Sequence, residues 1–370
     1  MKVNSFGKVF IGFVIGASTV GGLATAAGTF SDNGSNVCAT SSGALYAQNG
    51  DGSCDNGQSK ISISSGSIKS VVQKVSPAVV TVRVDLGNGQ GDTGSGSIIQ
   101  SSNGISYVLT NNHVVDAADG GQGTIKIETD SGDQYSATIV GRDVNYDLAV
   151  LKVNRNGLPT ITIGDSSTLS IGDPVIAFGS PLGLNGTVTS GIVSALNRPV
   201  VTQGTSANSY VNAIQTDAAI NPGNSGGALT DSSGRLVGIN SAIASTGSNS
   251  GNVGLGFAIP INEAKRVYTE IITRSDHKST RPLLGVYFDN NYTGVGAKVV
   301  QLSKGEAAES VGIPVGAIIT KIDDKRITDQ LSAIVKIRSY APGTTVKVTV
   351  TMPNGGGSKT FSVKLGSTTN

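Results

Sequence analysis

The chemistry open to this chain rests on one serine, two histidines and a small set of aspartates. Ser225 lies in Asn221-Pro222-Gly223-Asn224-Ser225-Gly226-Gly227-Ala228-Leu229, a hydroxyl among glycines just ahead of an apolar run. A serine hydroxyl is a weak nucleophile. It needs a general base, and backbone N–H groups aimed at the oxygen that becomes negative. Glycine permits the tight backbone that presents such groups. The chain has 51 glycines, so the stretch alone also reads as an ordinary loop. The only histidines are His113 and His277, which leaves two candidates for an imidazole base near neutral pH. His113 follows the β-type run Tyr107-Val108-Leu109-Thr110, and Asp147 precedes Leu148-Ala149-Val150-Leu151-Lys152-Val153. A base needs its second ring nitrogen held by a carboxylate, and an apolar strand after Asp147 would anchor that carboxylate. Asp116 and Asp143 compete for the role. Singly, each residue has a plain structural reading, the histidine in a helical turn and the aspartate opening a strand. Jointly, the order His113, Asp147, Ser225 is one of three chain orders in which a Ser-His-Asp constellation recurs. The rival reading is the nucleophile elbow, since Gly223-Asn224-Ser225-Gly226-Gly227 also satisfies Gly-x-Ser-x-Gly. That elbow needs a histidine after the serine and alternating helices and strands. Only His277 follows, in a polar stretch that reads as a linker.

Such a set needs a rigid scaffold, and the pattern predicts one made of strands. Val, Ile and Thr recur in short runs from residue 79 to 260, separated by Gly and Asn turns with no long helix between them. Barrels or sandwiches follow from this, not βαβ units. Residues 262–274 place Ala264, Val267, Tyr268, Ile271 and Ile272 at helical spacing, one amphipathic helix closing the region. At 370 residues the chain has room for two or three domains. The formal net charge of +2 gives no argument for a nucleic-acid partner. Two histidines and two cysteines are too few for a His-rich or Cys-based metal site, and no cofactor motif stands out.

The amino terminus points out of the cytoplasm. Lys2 and Lys8 precede an uncharged stretch from 9 to 31, apolar at first and ending Leu23-Ala24-Thr25-Ala26-Ala27. A positive start, an apolar core and Ala-x-Ala fit a secretory signal, and the length also permits a membrane anchor. Residues 1–31 are therefore read as signal peptide or anchor. Residues 32–66, rich in Ser, Gly and Asn, are read as a flexible tail or stalk. Cys38 and Cys54 lie inside that tail, as a local disulfide or as two separate thiols.

Several local words carry a family resemblance. Gly94-Ser95-Gly96-Ser97-Ile98-Ile99, Thr110-Asn111-Asn112-His113-Val114-Val115, Asp147-Leu148-Ala149-Val150-Leu151-Lys152-Val153, Gly223-Asn224-Ser225-Gly226-Gly227-Ala228-Leu229 and Gly256-Phe257-Ala258-Ile259-Pro260 occur in fixed order. Together they resemble the HtrA (Deg) family of serine proteases, over residues 67–368. The resemblance implies a mostly β chain, a chymotrypsin-like double β-barrel over 67–274, a linker over 275–282 and a C-terminal α+β PDZ domain over 283–370. It implies an exported, ATP-independent serine endopeptidase acting on unfolded or damaged proteins without a cofactor, located outside the cytoplasm as a secreted or anchored homotrimer. A non-catalytic PDZ-based binder or holdase is the alternative. His113, Asp147 and Ser225 become the catalytic set, and Gly223, Asn224 and Ser225 the oxyanion hole, on a loop that switches between ordered and collapsed states in the family. Ala219, Ile239, Asn240 and Ser241 are expected to line the primary substrate pocket. No acid stands among them, so cleavage is expected after small or medium apolar residues. In the PDZ region, Leu284, Gly285 and Val286 match the carboxylate-binding loop, and Ile334, with Val335 and Ile337, is expected along the side-chain pocket for peptide C-termini. Ala317 departs from the family, which usually has Asp after the preceding glycine.

Overall fold

The structure is a computed structural model, and it describes residues 35–40, 45–47, 53–55, 58–63, 68–87, 89–180, 186–203, 208–241 and 254–369. The expected signal or anchor, 1–31, lies outside them. The chain divides into two compact units, Met1–Ser65 and Gly66–Asn370. In the first unit, β1 (Ser35–Thr40) pairs antiparallel with both β2 (Leu45–Ala47) and β3 (Gln58–Ile63). Part of the stretch read from composition as tail is thus a three-stranded sheet. Cys54 is disulfide-bonded.

The second unit opens with helix α1 (Ile68–Val75), which buries Val71 and Val75. Six strands then close a barrel in the order β4-β5-β6-β9-β8-β7. They are β4 (Val79–Asp85), β5 (Gly91–Ser102), β6 (Ile105–Thr110), β7 (Thr124–Glu128), β8 (Gln134–Asp143) and β9 (Leu148–Val153), with the short helix α2 (Asn112–Val115) after β6. Closure leaves no unpaired strand edge. A second set follows: β10 (Thr162–Ile163), β11 (Pro174–Gly179), β12 (Thr187–Gln203), β13 (Asn208–Thr216), β14 (Ala228–Asp231), β15 (Arg235–Ser241) and β16 (Gly256–Pro260). Their order is β10-β15-β14-β11-β12-β13-β16, and a further β15–β16 pairing closes the last six into a ring. Helix α3 (Ile261–Thr273) buries Ile261, Ala264, Val267 and Ile271.

Side-chain alternation explains why β9 and β11 read as unbroken apolar runs. Successive residues of a strand face opposite sides. In β9, Ala149 and Leu151 fill the first barrel, while Leu148 and Val150 join a shared cluster with Phe178, Ile239 and Ile259 from the second. In β11, Val175 and Ala177 fill the second barrel, while Ile176 and Phe178 join that same shared cluster. Both strands are buried on both faces, and each gives one face to the cluster shared by the two barrels.

Beyond α3 come β17 (Thr280–Leu283), β18 (Val286–Phe288), β19 (Ala297–Leu302), α4 (Ala307–Ser310), β20 (Ile318–Ile322), β21 (Lys325–Arg326), α5 (Gln330–Arg338), β22 (Thr345–Thr351), β23 (Ser358–Lys364) and β24 (Gly366–Thr369). The sheet runs β18-β19-β20-β22-β23, with β21 on β20, and β17 pairs with β24. The end of the stretch read as a linker is therefore strand. Asp329 caps α5 by accepting from the Ser332 N–H, while Ser332 Oγ accepts from the Asp329 N–H, a reciprocal box that fixes where the helix begins. Ala317 is fully buried in the core of this domain, with Ile319, Ile322, Val348 and Val350.

Candidate active site

His113 sits in α2, one turn past the end of β6. Its Nδ1 lies 3.0 Å from Asp147 Oδ1 and 2.9 Å from Oδ2. Its backbone N–H donates to the same Oδ1 at 3.0 Å. The carboxylate thus holds both the ring and the backbone of His113. An Nδ1–H pointing at Asp147 leaves the lone pair on Nε2, the form able to take a proton. Burial alone would lower the His113 pKa. The hydrogen bond and charge of Asp147, helped by Asp92 and Asp116, outweigh it and set the net shift upward.

Asp147 is 1 % exposed and stands at φ = 53°, a left-handed backbone that few non-glycine residues adopt. Neighbouring groups hold it there. Asn111 Nδ2 donates to its carbonyl at 2.8 Å, and Ser241 Oγ donates to Oδ2 at 3.4 Å. Asp143, a rival on spacing alone, has a different task. Its Oδ1 accepts the N–H groups of Asn145 and Tyr146 at 2.9 and 3.1 Å, which shapes the loop that presents Asp147. Its Oδ2 accepts from Ser279.

Ser225 arrives from the other barrel. The Asn224 N–H donates to Asn221 O at 2.9 Å, with Pro222 and Gly223 between them and Gly223 at φ = 96°. Proline first and a positive φ second make this a type II turn. The peptide between Pro222 and Gly223 faces opposite ways in types I and II, so glycine here decides where the Gly223 N–H points. Among the described residues no acceptor lies on that N–H. Two further bonds brace the turn. The Gly227 N–H donates to Asn224 O and the Gly226 N–H to Asn240 O, both at 2.9 Å.

Ser95, on β5 of the first barrel, joins the halves. Its N–H donates to Ser225 O at 2.8 Å and its Oγ donates to Gly223 O at 2.6 Å. Its Oγ also accepts from the Ser180 N–H at 2.8 Å, and its carbonyl accepts from Thr110 Oγ1 at 2.7 Å. A continuous set of bonds therefore runs from the Ser225 turn through Ser95 and Thr110 to Asn111, Asp147 and His113. Sequence reasoning quoted Ser95 only as part of a local word. The signal available was its place in a Gly-Ser-Gly run on a strand of the first barrel.

The expected pocket residues divide. Ala219 is half-buried, and its carbonyl accepts from Thr189 Oγ1 at 3.0 Å and Asn224 Nδ2 at 3.3 Å. Ile239 is fully buried in the shared cluster, so its side chain has no surface to offer a substrate. Asn240 is buried too, with Nδ2 donating to Phe178 O and Ala228 O, both at 3.0 Å. Ser241 turns its hydroxyl to Asp147. These three were placed in the pocket by the family resemblance. Strand alternation and the full burial of β15 assign their side chains to the interior instead.

In the C-terminal domain, Leu284, Gly285, Val286 and Ile334 line one groove of ≈ 530 Å³ with Ile337 and Arg338. Gly285 stands at φ = 77°. The Leu284 carbonyl accepts the Ala308 N–H and the Gly285 carbonyl the Ser303 N–H, each at 2.9 Å, which fixes the loop ahead of β18. Val335 is buried and lies outside that lining. Among the described residues no group of His, Cys, Asp and Glu is placed to hold a metal.

Known proteins share this arrangement. Residues 94–239 match a trypsin-like peptidase domain and residues 282–365 a PDZ domain. The serine protease PepD of Mycobacterium tuberculosis is 46 % identical over 314 residues, covering 81 % of this chain and 66 % of that protein. The periplasmic pH-dependent serine endoprotease DegQ of Escherichia coli is 37 % identical over 317 residues, covering 76 % and 67 %. The chain thus spans about two thirds of these relatives' length. A solved structure of the HtrA-type protease AlgW with a decapeptide superposes with a TM-score of 0.60 at 31 % identity, over 82 % of this chain and 99 % of that one. With a trypsin-like domain running into a single PDZ domain and identity of this extent to such proteins, the chain belongs to the HtrA (Deg) family of serine proteases.

Proposed function

We propose that the chain is an extracytoplasmic serine endopeptidase that cleaves unfolded or damaged proteins through an acyl-enzyme formed on Ser225. The observation that carries this reading is the buried Asp147 carboxylate gripping His113 at Nδ1 and at the backbone N–H. His113 Nε2 takes the proton from Ser225 Oγ as that oxygen attacks a peptide carbonyl, and returns it to the leaving amine. Asp147 stabilises the imidazolium between the two transfers. The Gly223 and Ser225 N–H groups receive the oxyanion, with Asn224 between them. Losing one such donor costs about 2.7–4 kcal/mol of transition-state stabilisation. Water then resolves the acyl-enzyme by the same proton path.

Ala219 remains the best candidate for the wall of the primary pocket, which supports cleavage after small or medium apolar residues. The PDZ groove takes a peptide C-terminus as an added strand on β18, its carboxylate on the loop of Leu284, Gly285 and Val286. AlgW, solved with a tripeptide as well as a decapeptide, supports peptide binding in this architecture. Export is supported by the apolar stretch after Lys8 and by the periplasmic relative from Escherichia coli. No helix among the described residues is long and apolar enough to cross a membrane. The domain limits 67–274 and 283–370, an amino-terminal signal or anchor, and a homotrimer complete the reading.

The test is Ser225→Ala. The parent should degrade unfolded casein and label with a fluorophosphonate probe, and the variant should do neither. Casein degradation that survives in Ser225→Ala would overturn the assignment.

A further inference from the structure

The loop that presents Asp147 is held from the far end of the chain. Arg338, the last residue of α5, donates from Nη1 to Asn145 O and from Nη2 to Asn145 Oδ1, each at 3.1 Å. Tyr146 Oη donates back to Arg338 O at 2.8 Å. The two residues immediately before Asp147 are therefore both bonded to one arginine 192 and 193 positions away. Tyr146 is fully buried, and burial, the main cause, raises its pKa well above the usual range and keeps the phenol a donor. The Arg338 guanidinium lies 4.7 Å from the centre of the Tyr210 ring, and the Tyr210 N–H donates to the same Asn145 carbonyl at 3.1 Å. Arg266 covers the Tyr146 ring at 5.1 Å. The guanidinium is a planar fork, and a bidentate grip fixes orientation as well as distance.

This matters because Asp147 is in a sparsely populated backbone state. Such states persist when surrounding contacts over-determine them. Asn111 and Ser241 hold Asp147 from the barrel side, and Arg338 holds the residues that lead into it. Arg338 also lines the PDZ groove, beside Ile334 and Ile337.

We infer that Arg338 is a positioning residue for the protease reaction: through Asn145 and Tyr146 it fixes the loop that aims the Asp147 carboxylate at His113. The inference rests on the triad proposed above and adds a part to it from the PDZ domain. It also means that the groove wall and the catalytic loop share one side chain, so a ligand that moves Arg338 moves the approach to Asp147.

The experiment uses the full chain and a short fluorogenic peptide with an amidated C-terminus, which offers the PDZ loop no carboxylate. Arg338→Ala should lower kcat about 10-fold, in line with the sensitivity of reacting geometry to small displacements. KM should stay within about twofold, because the substrate cleft is untouched. Asn145→Ala should show the same split, more weakly, since its carbonyl remains. The double variant should be no worse than Arg338→Ala alone, because both changes break one contact. Arg338→Lys, which keeps the charge but not the fork, should recover only part of the rate. If Arg338→Ala does not fold, Asn145→Ala and Arg338→Lys carry the test by the same split. Unchanged kcat with a lowered melting temperature would make Arg338 a packing residue and overturn the inference. Ser225→Ala, run alongside, separates the two failures: an active Ser225→Ala sinks the triad, whereas an inactive one beside unaffected Arg338 variants sinks only this proposal.

Discussion

Gly179→Ala adds one methyl group opposite the Ser225 turn and should slow catalysis while leaving the fold in place. Gly179 ends β11, and a Cβ there would lie 2.5 Å from Asn224 Oδ1, 2.8 Å from its Cα and 2.9 Å from its Cγ. Carbon atoms in ordinary contact stand about 3.5–4.0 Å apart. The side-chain amide can swing away, but the Cα cannot, so the backbone of Asn224 must retreat by roughly 0.7 Å or more to restore that spacing. Asn224 separates Gly223 from Ser225, and its N–H and C=O are both committed within the turn, to Asn221 O and from the Gly227 N–H. A retreat therefore carries the two proposed oxyanion donors with it. Displacements near 1 Å cost up to about 100-fold in rate. We expect kcat to fall about 10- to 100-fold, or about 1.4–2.7 kcal/mol of barrier. Overpacking should remove about 1–3 kcal/mol of stability, which a chain of this size survives. The assay is kcat and KM on a fluorogenic peptide, the rate of fluorophosphonate labelling, and a melting curve. Labelling should slow in parallel with kcat, because in the proposed mechanism both reactions use Ser225 and its donors. A variant that melts earlier yet turns over at the parent rate would refute the link between Asn224 and catalysis.

Two further predictions concern titration. The acid limb of kcat/KM should lie above pH 6.5, because His113 must be neutral to act as the proposed base and its pKa is raised above that value. Asp147→Asn removes the charge that most raises it and leaves burial opposed only by Asp92 and Asp116, so the limb should move down, with kcat falling about 10⁴-fold; an unmoved limb would assign it to another group. Glu263, buried on α3, has its carboxyl pushed up to about 8 by burial, against the opposing pull of Arg266, a hydrogen bond from Asn212, and Lys336. The folded state then holds a proton that the unfolded state releases near 4.5, so stability is greatest below that pH and is lost as pH rises to about 8. Glu263→Gln should flatten this slope in denaturant titrations at pH 5 and 8.5, by at least ~1 kcal/mol relative to the parent; parallel slopes in the two proteins would count against the burial account.

The parts of the molecule legible in the sequence are those whose signal is local. Leu148 to Val153 reads as a buried strand because its apolar residues find apolar company on one face or the other. The words around His113, Asp147 and Ser225 could be weighed together because each is a short contiguous run. Four things escaped. Ile239, Asn240 and Ser241 were expected along a pocket through the resemblance, but the direction of a side chain depends on strand parity and on what packs above and below. Ser95 looked like one more residue in a Gly-rich run, since its bonds go to Gly223, Ser180 and Thr110, far away in the chain. The Asp143–Tyr146 loop looked like a turn, with Asp143 a rival for the histidine. Its anchors, Ser279 and Arg338, lie in segments that no local pattern connects to it. The sheet of β1, β2 and β3 was hidden for a different reason. Ser, Gly and Asn dominate that stretch, and composition speaks of average behaviour rather than of pairing.

Ser95 has one more consequence, for the order of events when the chain folds. Its Oγ reaches Gly223 across 128 residues of sequence. Contacts so distant in the chain are made late, after local strands have paired. The turn that carries Ser225 is thus completed by a residue of the first barrel only when the two barrels have closed on each other. A half-folded chain, with its second barrel still forming, has a serine but no shaped turn around it. Proteolytic competence then appears as one of the last steps of folding.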